Sequence, residues 1–551
     1  DKMLLEAHLN APPGSAARTL FEQRLASTEP AATFSLANSL AGFLTPWLLM
    51  TIAIGWLGHD RAAASANWRR LAGAAISALP LAACLVLTKS RAGYLATLVG
   101  FAALVLCSLC TRRHAWLVVG GSAVVASVLI AAGFAVGSLD RQVVSEAFKS
   151  LAYRWHYWQG ALGIVAEHPW LGCGPGNFQD EYTRFKLPEA SEVVADPHNF
   201  AFEIWATAGT PALLAFIAVL IAAAVDRRRA AKSAAELTLP DSHYPISVMA
   251  AAGGIVGFLL ALAVGSFSTV GLPWLVFAAG CVVLPVGVVG FDGWIRRGSL
   301  PTYVPFVAAL ALLVNLLVAG GISFAGVAGT LWLLVAVGTN ENRPRRRLPR
   351  SLLMGLCVAN AALFIACYFS AYRPVLACRR LTALALSERS DARERLVAAA
   401  AADPLADEPW HLLAEGDFSS WLRDPSTESA TWEKEQQEVL RRRPHSSAAW
   451  QEAGKRYLTA YHESQDDQRE RFLSAALDHL RTAAELYPNS ALVHAKLAVA
   501  FAAADGNKAS EEAAIAMELH KKTPHEDQKL PHDLLNATQR LMKGRPSNAQ
   551  D

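Results

Sequence analysis

The chain is 551 residues long, 53% hydrophobic and 18% charged, whereas a soluble protein carries roughly 25% charged residues. Its formal net charge of +3 is too small to argue for a nucleic-acid partner, and the shortage of charge is confined to the first two thirds. That pattern excludes an ordinary soluble globular protein and marks an all-α, polytopic membrane protein with a polar tail.

The chain opens at Asp1 without Met or a basic–apolar–small leader, so further apolar spans are expected upstream of it in the full reading frame. Residues 1–35 are polar and read as an external N-terminal segment. About ten apolar stretches then follow, each long enough to cross a ~30 Å hydrocarbon core. They lie at 36–57, 71–88, 92–110, 115–137, 204–225, 246–267, 272–290, 303–319, 323–338 and 352–371, within a transmembrane domain of 36–372. The 303–319 and 323–338 pair is parted only by Gly320-Gly321 and reads either as two spans or as a re-entrant hairpin.

Charge orients these spans. Arg61, Arg69 and Arg70, then Arg112-Arg113, then Arg227-Arg228-Arg229 with Lys232, then Arg296-Arg297, and then Arg343 to Arg350 all fall in loops on one side. The positive-inside rule makes that side cytoplasmic. The short turn Lys89-Ser90-Arg91, the loop 138–203 and everything after about 373 are then external. Cys84, Cys107, Cys110, Cys281, Cys357 and Cys367 sit in or beside apolar segments and read as small core residues. Cys173 and Cys378 fall on the external side, open to a disulfide.

Arg91 occupies an external turn so close to hydrocarbon that it is either a snorkelling anchor with Lys89 or a functional charge. In the loop, Val144, Phe148, Leu151, Trp155, Trp158, Leu162 and Val165 alternate by four and three, which predicts a helix over Arg141–Glu167 lying at the outer interface. Arg154 stands beside that face, where a guanidinium either snorkels or forks two donors onto a phosphate. His168-Pro169 ends the helix, and Gly172, Gly174 and Gly176 follow as a tight turn without the strand and helix of a dinucleotide fingerprint. His198, in Asp196-Pro197-His198-Asn199, is a candidate general base or a structural hydrogen-bonding residue. The loop has no metal-ligand spacing, so neither a catalytic metal nor a cofactor is expected.

From about 380 to 551 the composition turns to Ala, Glu, Arg and Leu with helical periodicity. Three approximate units open at Pro404, Pro444 and Pro488, and ALDHLRTAAELYPNSALVHAKLAVAFAAAD is similar to a tetratricopeptide repeat, though a plain helical bundle remains the alternative. A repeat tail of this kind implies a protein partner. The residues after about 524 read as a frayed end.

Taken together, these residues resemble the O-antigen ligase and O-antigen polymerase family of bacterial membrane glycosyltransferases. Ser90-Arg91-Ala92-Gly93-Tyr94-Leu95 matches its Arg-x3-Leu motif, and His198-Asn199 with Gly209 matches its His-x10-Gly motif. Tyr153-Arg154, Trp158 and HPWLGCGPGNF resemble its loop signature, and Thr33 to Ala41 resembles its Thr-Phe-x-Asn-x-Asn-x-Leu-Ala segment with the first Asn missing. The resemblance covers about 30–290 and implies a C-type fold at the bacterial inner (cytoplasmic) membrane, with the tail outside the cytoplasm. It implies a glycan donor on undecaprenyl diphosphate, with a glycan, lipid-core or protein acceptor, in contact with membrane lipid. Arg91 and Arg154 would clamp the diphosphate and His198 would serve as general base or as acceptor orienter, with inversion and no metal. Trp158, Asn199, Gly174 and Gly176 would help bind substrate, and Arg141 and Arg184 would assist, though no motif match supports either of these two. Ligase, polymerase and protein O-oligosaccharyltransferase share these motifs. Two other classes compete, a transporter and a membrane-anchored repeat scaffold. The first is opposed by the near absence of ionisable residues in the spans, the second by ten spans where a tether needs one.

Overall fold

A computed structural model describes residues 37–57, 59–60, 67–109, 141–190, 192–231, 236–238, parts of 252–292, 298–339, 349–387, 391–464, 467–524 and 528–543. In chain order its helices begin with α1 (Ala37–Leu57), α2 (Asn67–Leu87), α3 (Arg91–Leu109), α4 (Arg141–Glu167), α5 (Phe178–Phe185) and α6 (Phe200–Ala231). They continue with α7 (Tyr303–Ala319), α8 (Ala325–Thr339), α9 (Arg350–Cys367) and, after a π-helical turn at Tyr368–Tyr372, α10 (Arg373–Ser387). The chain divides into two compact units. One holds Asp1–Trp158, Val165–Gly174 and Asp196–Arg345; the other holds Gln159–Ile164, Pro175–Ala195 and Arg346–Asp551.

Five stretches are long and apolar enough to cross a membrane: Ala37–Leu57, Trp68–Leu87, Arg91–Ser108, Phe200–Asp226 and Arg350–Ser387. The chain is therefore a multi-pass, all-α membrane protein, and these five coincide with five of the expected spans. The span expected at 115–137 lies outside the described residues, and 246–267 and 272–290 are described only in pieces. The Gly320-Gly321 pair behaves as a hairpin turn: φ is 68° and 94° at the two glycines, and α7 and α8 on either side pack together. At 17 and 15 residues, α7 and α8 are shorter than the other five.

The core of the first unit forms where α1 meets α2, α3 and α7. Leu40, Ala41, Leu44 and Leu48 of α1 close over Leu85 of α2. Gly100 of α3 lets Leu49 and Ala311 approach so closely that a Cβ there would collide with both. A second cluster joins Leu312, Leu316, Val327, Leu331 and Leu334 of α7 and α8 to Phe200 and Ala223 of α6.

A small antiparallel sheet bears on orientation. β1 (His59–Asp60), β2 (Glu236–Thr238) and β3 (Gly298–Pro301) are ordered β1-β3-β2, with His59 opposite Ser299 and Leu237 opposite Leu300. Each strand belongs to a loop that carries one of the basic clusters. Hydrogen-bonded strands cannot lie across a bilayer from one another, so those three loops share one face of the membrane.

In the second unit, α10 leads into α11 (Ala392–Ala402), α12 (Glu408–Trp421), α13 (Ala430–Arg442), α14 (Ser447–Glu463), α15 (Asp467–Leu486), α16 (Ala491–Phe501) and α17 (Gly506–Lys522). Neighbours pack as successive pairs, α12 with α13, α14 with α15 and α16 with α17. Pro404, Pro444 and Pro488 stand in the turns that open α12, α14 and α16, as expected from their spacing. Trp421, Trp432, Tyr457 and Phe472 form an aromatic core across the first two pairs. The expected frayed end needs correcting: α18 (His532–Met542) packs on α16 and α17, with Leu541 and Thr538 buried. Its Leu534, Leu535 and Leu541 supply an apolar face that the polar composition around them obscures.

α5 also belongs to this unit. Phe178 and Tyr182 are buried and stacked at 5.6 Å, and Gly160 and Gly163 of α4 leave the room that Tyr182 and Phe185 fill. Lys186, just beyond α5, is buried with its ammonium on Ala190 O at 2.9 Å. Burial pushes it down to about 8, against the opposing pull of Glu189 and Glu192. Between about 8 and the ordinary 10.5, the folded chain therefore holds fewer protons than the unfolded one, and stability rises with pH. The melting midpoint of Lys186→Met, measured relative to wild type on the full chain in detergent, is expected to drop as pH climbs through that window. A gap independent of pH would refute this.

Candidate active site

The site is built on two turns. In the first, Thr88 Oγ1 donates to Leu85 O at 2.6 Å and Lys89 adopts a left-handed conformation with φ of 51°. Ser90 then caps α3, its Oγ accepting from Gly93 N at 3.2 Å, so Arg91 stands exposed on the first turn of that helix. The helix N-terminus adds its partial positive charge to that of the guanidinium.

The second turn is Asp196-Pro197-His198-Asn199. His198 N donates to Asp196 Oδ1 at 2.7 Å, which holds His198 at φ of 53°. Its Nδ1 lies 3.1 Å from the same carboxylate oxygen, near enough for attraction but off the line of a hydrogen bond. Trp158 braces the turn from α4, donating from Nε1 to Pro197 O at 3.0 Å and stacking on Phe202 at 5.5 Å. Tyr157 meets the His198 ring edge-on at 6.0 Å. The Gly320 backbone closes the other side, where a Cβ would collide with Asp196 Oδ1 and lie 3.0 Å from His198 Cα.

Arg154, half-buried on α4, connects the turns. Burial lowers its pKa from the ordinary arginine value; Tyr157 opposes this, and Arg91 adds to it by repulsion. The guanidinium nonetheless stays charged at any physiological pH. Arg91, Arg154, Tyr157 and His198 thus form one chain of neighbours, and among the described residues the ionisable groups acting on Arg154 are Tyr157 and Arg91.

The glycine segment has a different task. α6 is broken at Gly209, whose φ of 86° and ψ of 174° only glycine adopts readily. Pro211 has no N–H to offer Thr207 O, and Thr210 N turns away to Pro169 O at 2.8 Å. The freed carbonyls of Ala206 and Thr207 instead accept from Cys173 N at 2.8 Å and Gly174 N at 3.0 Å. The broken helix therefore receives the Gly172–Gly174 segment as a backbone clasp, and the histidine-to-glycine spacing is the distance from turn to clasp. Gly209→Ala would drive a Cβ into the Trp170 carbonyl. We expect it to cost about 2–3 kcal/mol or more and to increase amide exchange in 169–174. Unchanged exchange there would refute this role.

Other expected residues fall elsewhere. Asn199 is buried and caps α6, its Oδ1 accepting from Ala201 N at 2.9 Å. Gly176 is exposed, and a Cβ on it would meet nothing within 4 Å. Arg184 pairs with Glu181 at 3.8 Å in the second unit. Arg141 opens α4. Cys378 is a free thiol, so the disulfide that the sequence left open is not formed. On α4, Leu151, Trp155 and Leu162 form an exposed apolar stripe, while Tyr157, Ala161 and Ile164 face protein. That division suits a helix at a lipid interface.

One further residue escaped sequence reasoning. Glu203, buried on the first turn of α6, is held by Ser323 and lies within electrostatic reach of Asp196 and His198, while its Oε2 has no hydrogen-bond partner. A lone acid at the head of an apolar span is the signal that marks it.

The region that carries both turns, the clasp and Arg154 has a recognisable relative. Residues 76–217 match the O-antigen ligase family. An O-antigen ligase from Pseudomonas aeruginosa is 32% identical over 113 residues, which is 20% of this chain and 26% of that protein. The alignment thus spans about a quarter of the relative's length. No solved structure matches the chain. The O-antigen ligase match includes Arg91, Arg154, Trp158, His198 and Gly209, and excludes the tail.

Proposed function

We propose that the protein transfers a glycan from a polyprenyl-diphosphate carrier, of the undecaprenyl type, to a hydroxyl acceptor at the outer face of the bacterial inner membrane, as an inverting, metal-independent glycosyltransferase. One observation carries this reading: Arg154 is half-buried within repulsive reach of Arg91. Holding a half-buried cation within reach of a second, exposed one costs free energy that a multiply charged anion recovers, and a diphosphate is such an anion.

In this mechanism the acceptor oxygen attacks the anomeric carbon from the face opposite the diphosphate. The bond between that carbon and the phosphate oxygen breaks, and the diphosphate leaves with the electron pair. Arg91 and Arg154 stabilise the charge that develops on it. The acceptor's proton passes to His198, and the imidazolium so formed is stabilised by Asp196, 3.1 Å from Nδ1. Inversion follows from the single displacement. The helical pairs of the tail, read as tetratricopeptide-like repeats outside the cytoplasm, offer a surface for a protein acceptor or partner.

A glycan gel on a deletion strain tests this. Loss of capped lipid core with lipid-linked polymer accumulating identifies a ligase. Loss of long chains with single-unit caps retained identifies a polymerase, and loss of glycan from secreted protein identifies a protein transferase. A glycan profile identical to the parent strain's overturns the reading.

A further inference from the structure

The tail grips the external loop through a repeated device. Pro444 and Pro488 occupy matching places, each in the turn that opens a helical pair. The residue after each proline reaches the α5 segment: His445 Nδ1 lies 3.2 Å from Glu181 Oε1, and Asn489 Nδ2 donates to Lys186 O at 2.8 Å. So does the residue before each: Arg443 pairs with Asp180 at 3.0 Å, and the Tyr487 ring lies 5.8 Å from the Lys186 ammonium. Between the two turns, Thr183 Oγ1 donates to Leu486 O at 2.9 Å. The gripped residues are themselves buried, Glu181 and Lys186 each to 5% exposure.

This is the edge of the helical pairs, where turns project, rather than a helix face. Its chemistry is matched side by side: acids at 180 and 181 face Arg443 and His445, and the backbone carbonyl at 186, just past the end of α5, meets the Asn489 amide. Lys186, the last residue gripped, precedes His198 by twelve residues of chain.

We propose that Arg443, His445 and Asn489 are positioning residues: the two proline turns of the tail hold α5 in place and so set the chain that leads into Asp196 and His198. The tail is then a working part of the transferase, and this edge of it is committed to its own loop. The link to transfer rests on the function proposed above; the grip itself does not.

Charge exchange in the full chain, made in the deletion strain and purified in detergent, tests both. Arg443→Asp alone is expected to raise amide exchange in 178–186 about tenfold and to lower kcat for glycan transfer several-fold more than it changes KM. Asp180→Arg alone should do the same, and the double variant should recover most of both losses. Asn489→Ala serves as a second, uncharged probe with a smaller increase in exchange. The grip is overturned if exchange in 178–186 is unchanged in Arg443→Asp and Asn489→Ala, or if the double variant is no better than either single one. Positioning is overturned if exchange rises while kcat stays at the wild-type value. A wild-type protein that transfers no glycan would instead sink the proposed function, and the exchange measurement would still decide the grip.

Discussion

Arg154→Ala is expected to lower glycan transfer by about 100- to 1,000-fold while leaving the amount of protein in the membrane unchanged. The size follows from where the charge sits. A guanidinium on an exposed helix face is screened and worth little, but Arg154 is half-buried and shares its surroundings with Arg91. Arg154→Lys should recover little of the loss. The burial and repulsion that lower the arginine's pKa without neutralising it would act more severely on an ammonium, and lysine lacks the planar fork that engages two phosphate oxygens. Arg91→Ala, at an exposed guanidinium, should cost less than Arg154→Ala, and the double variant should lose less than the product of the two, because the pair acts as one clamp. A wild-type glycan profile in Arg154→Ala would remove the clamp from the mechanism.

His198→Asn is the second large effect, about 100-fold or more on kcat. Asparagine is chosen because it tolerates the left-handed conformation that His198 adopts, and its backbone N–H can still reach Asp196. The turn should therefore survive while the base is lost. Melting of the full chain should match wild type, and binding of the lipid-linked donor should be kept. If transfer persists in a well-folded His198→Asn protein, the proton goes elsewhere, and Glu203, with its free Oε2, is the next group to replace.

Much of this architecture was legible in the sequence because membrane insertion simplifies the code. The amphipathic spacing predicted α4 with the ends it has, Arg141 and Glu167, since aromatic and aliphatic residues recur without interruption. That arginine-bearing loops share a face was legible for three of them, which the β1-β3-β2 sheet joins. What was not legible depends on contacts distant in the chain. β1 is two residues long and has no strand signal of its own. That Asn199 caps α6 was hidden behind its place in a motif, because capping and ligand binding select the same small polar side chain. Gly209 stood in the motif without a reason until the break in α6 showed which carbonyls it frees. α5 carries acids whose partners lie in the tail, and no periodicity reports a partner that far away.

That separation has a consequence in time. Arg443 follows Asp180 by 263 residues. At a synthesis rate of about 5–20 residues per second, α5 leaves the ribosome roughly 13–50 s before the residue that grips it. During that interval the loop is already attached to its finished neighbours in the membrane, yet lacks its last support. A nascent chain interrupted before the Pro444 turn would lack the contacts of Arg443 and Asn489, so under the grip proposed above the loop gains its support only once the tail has been made.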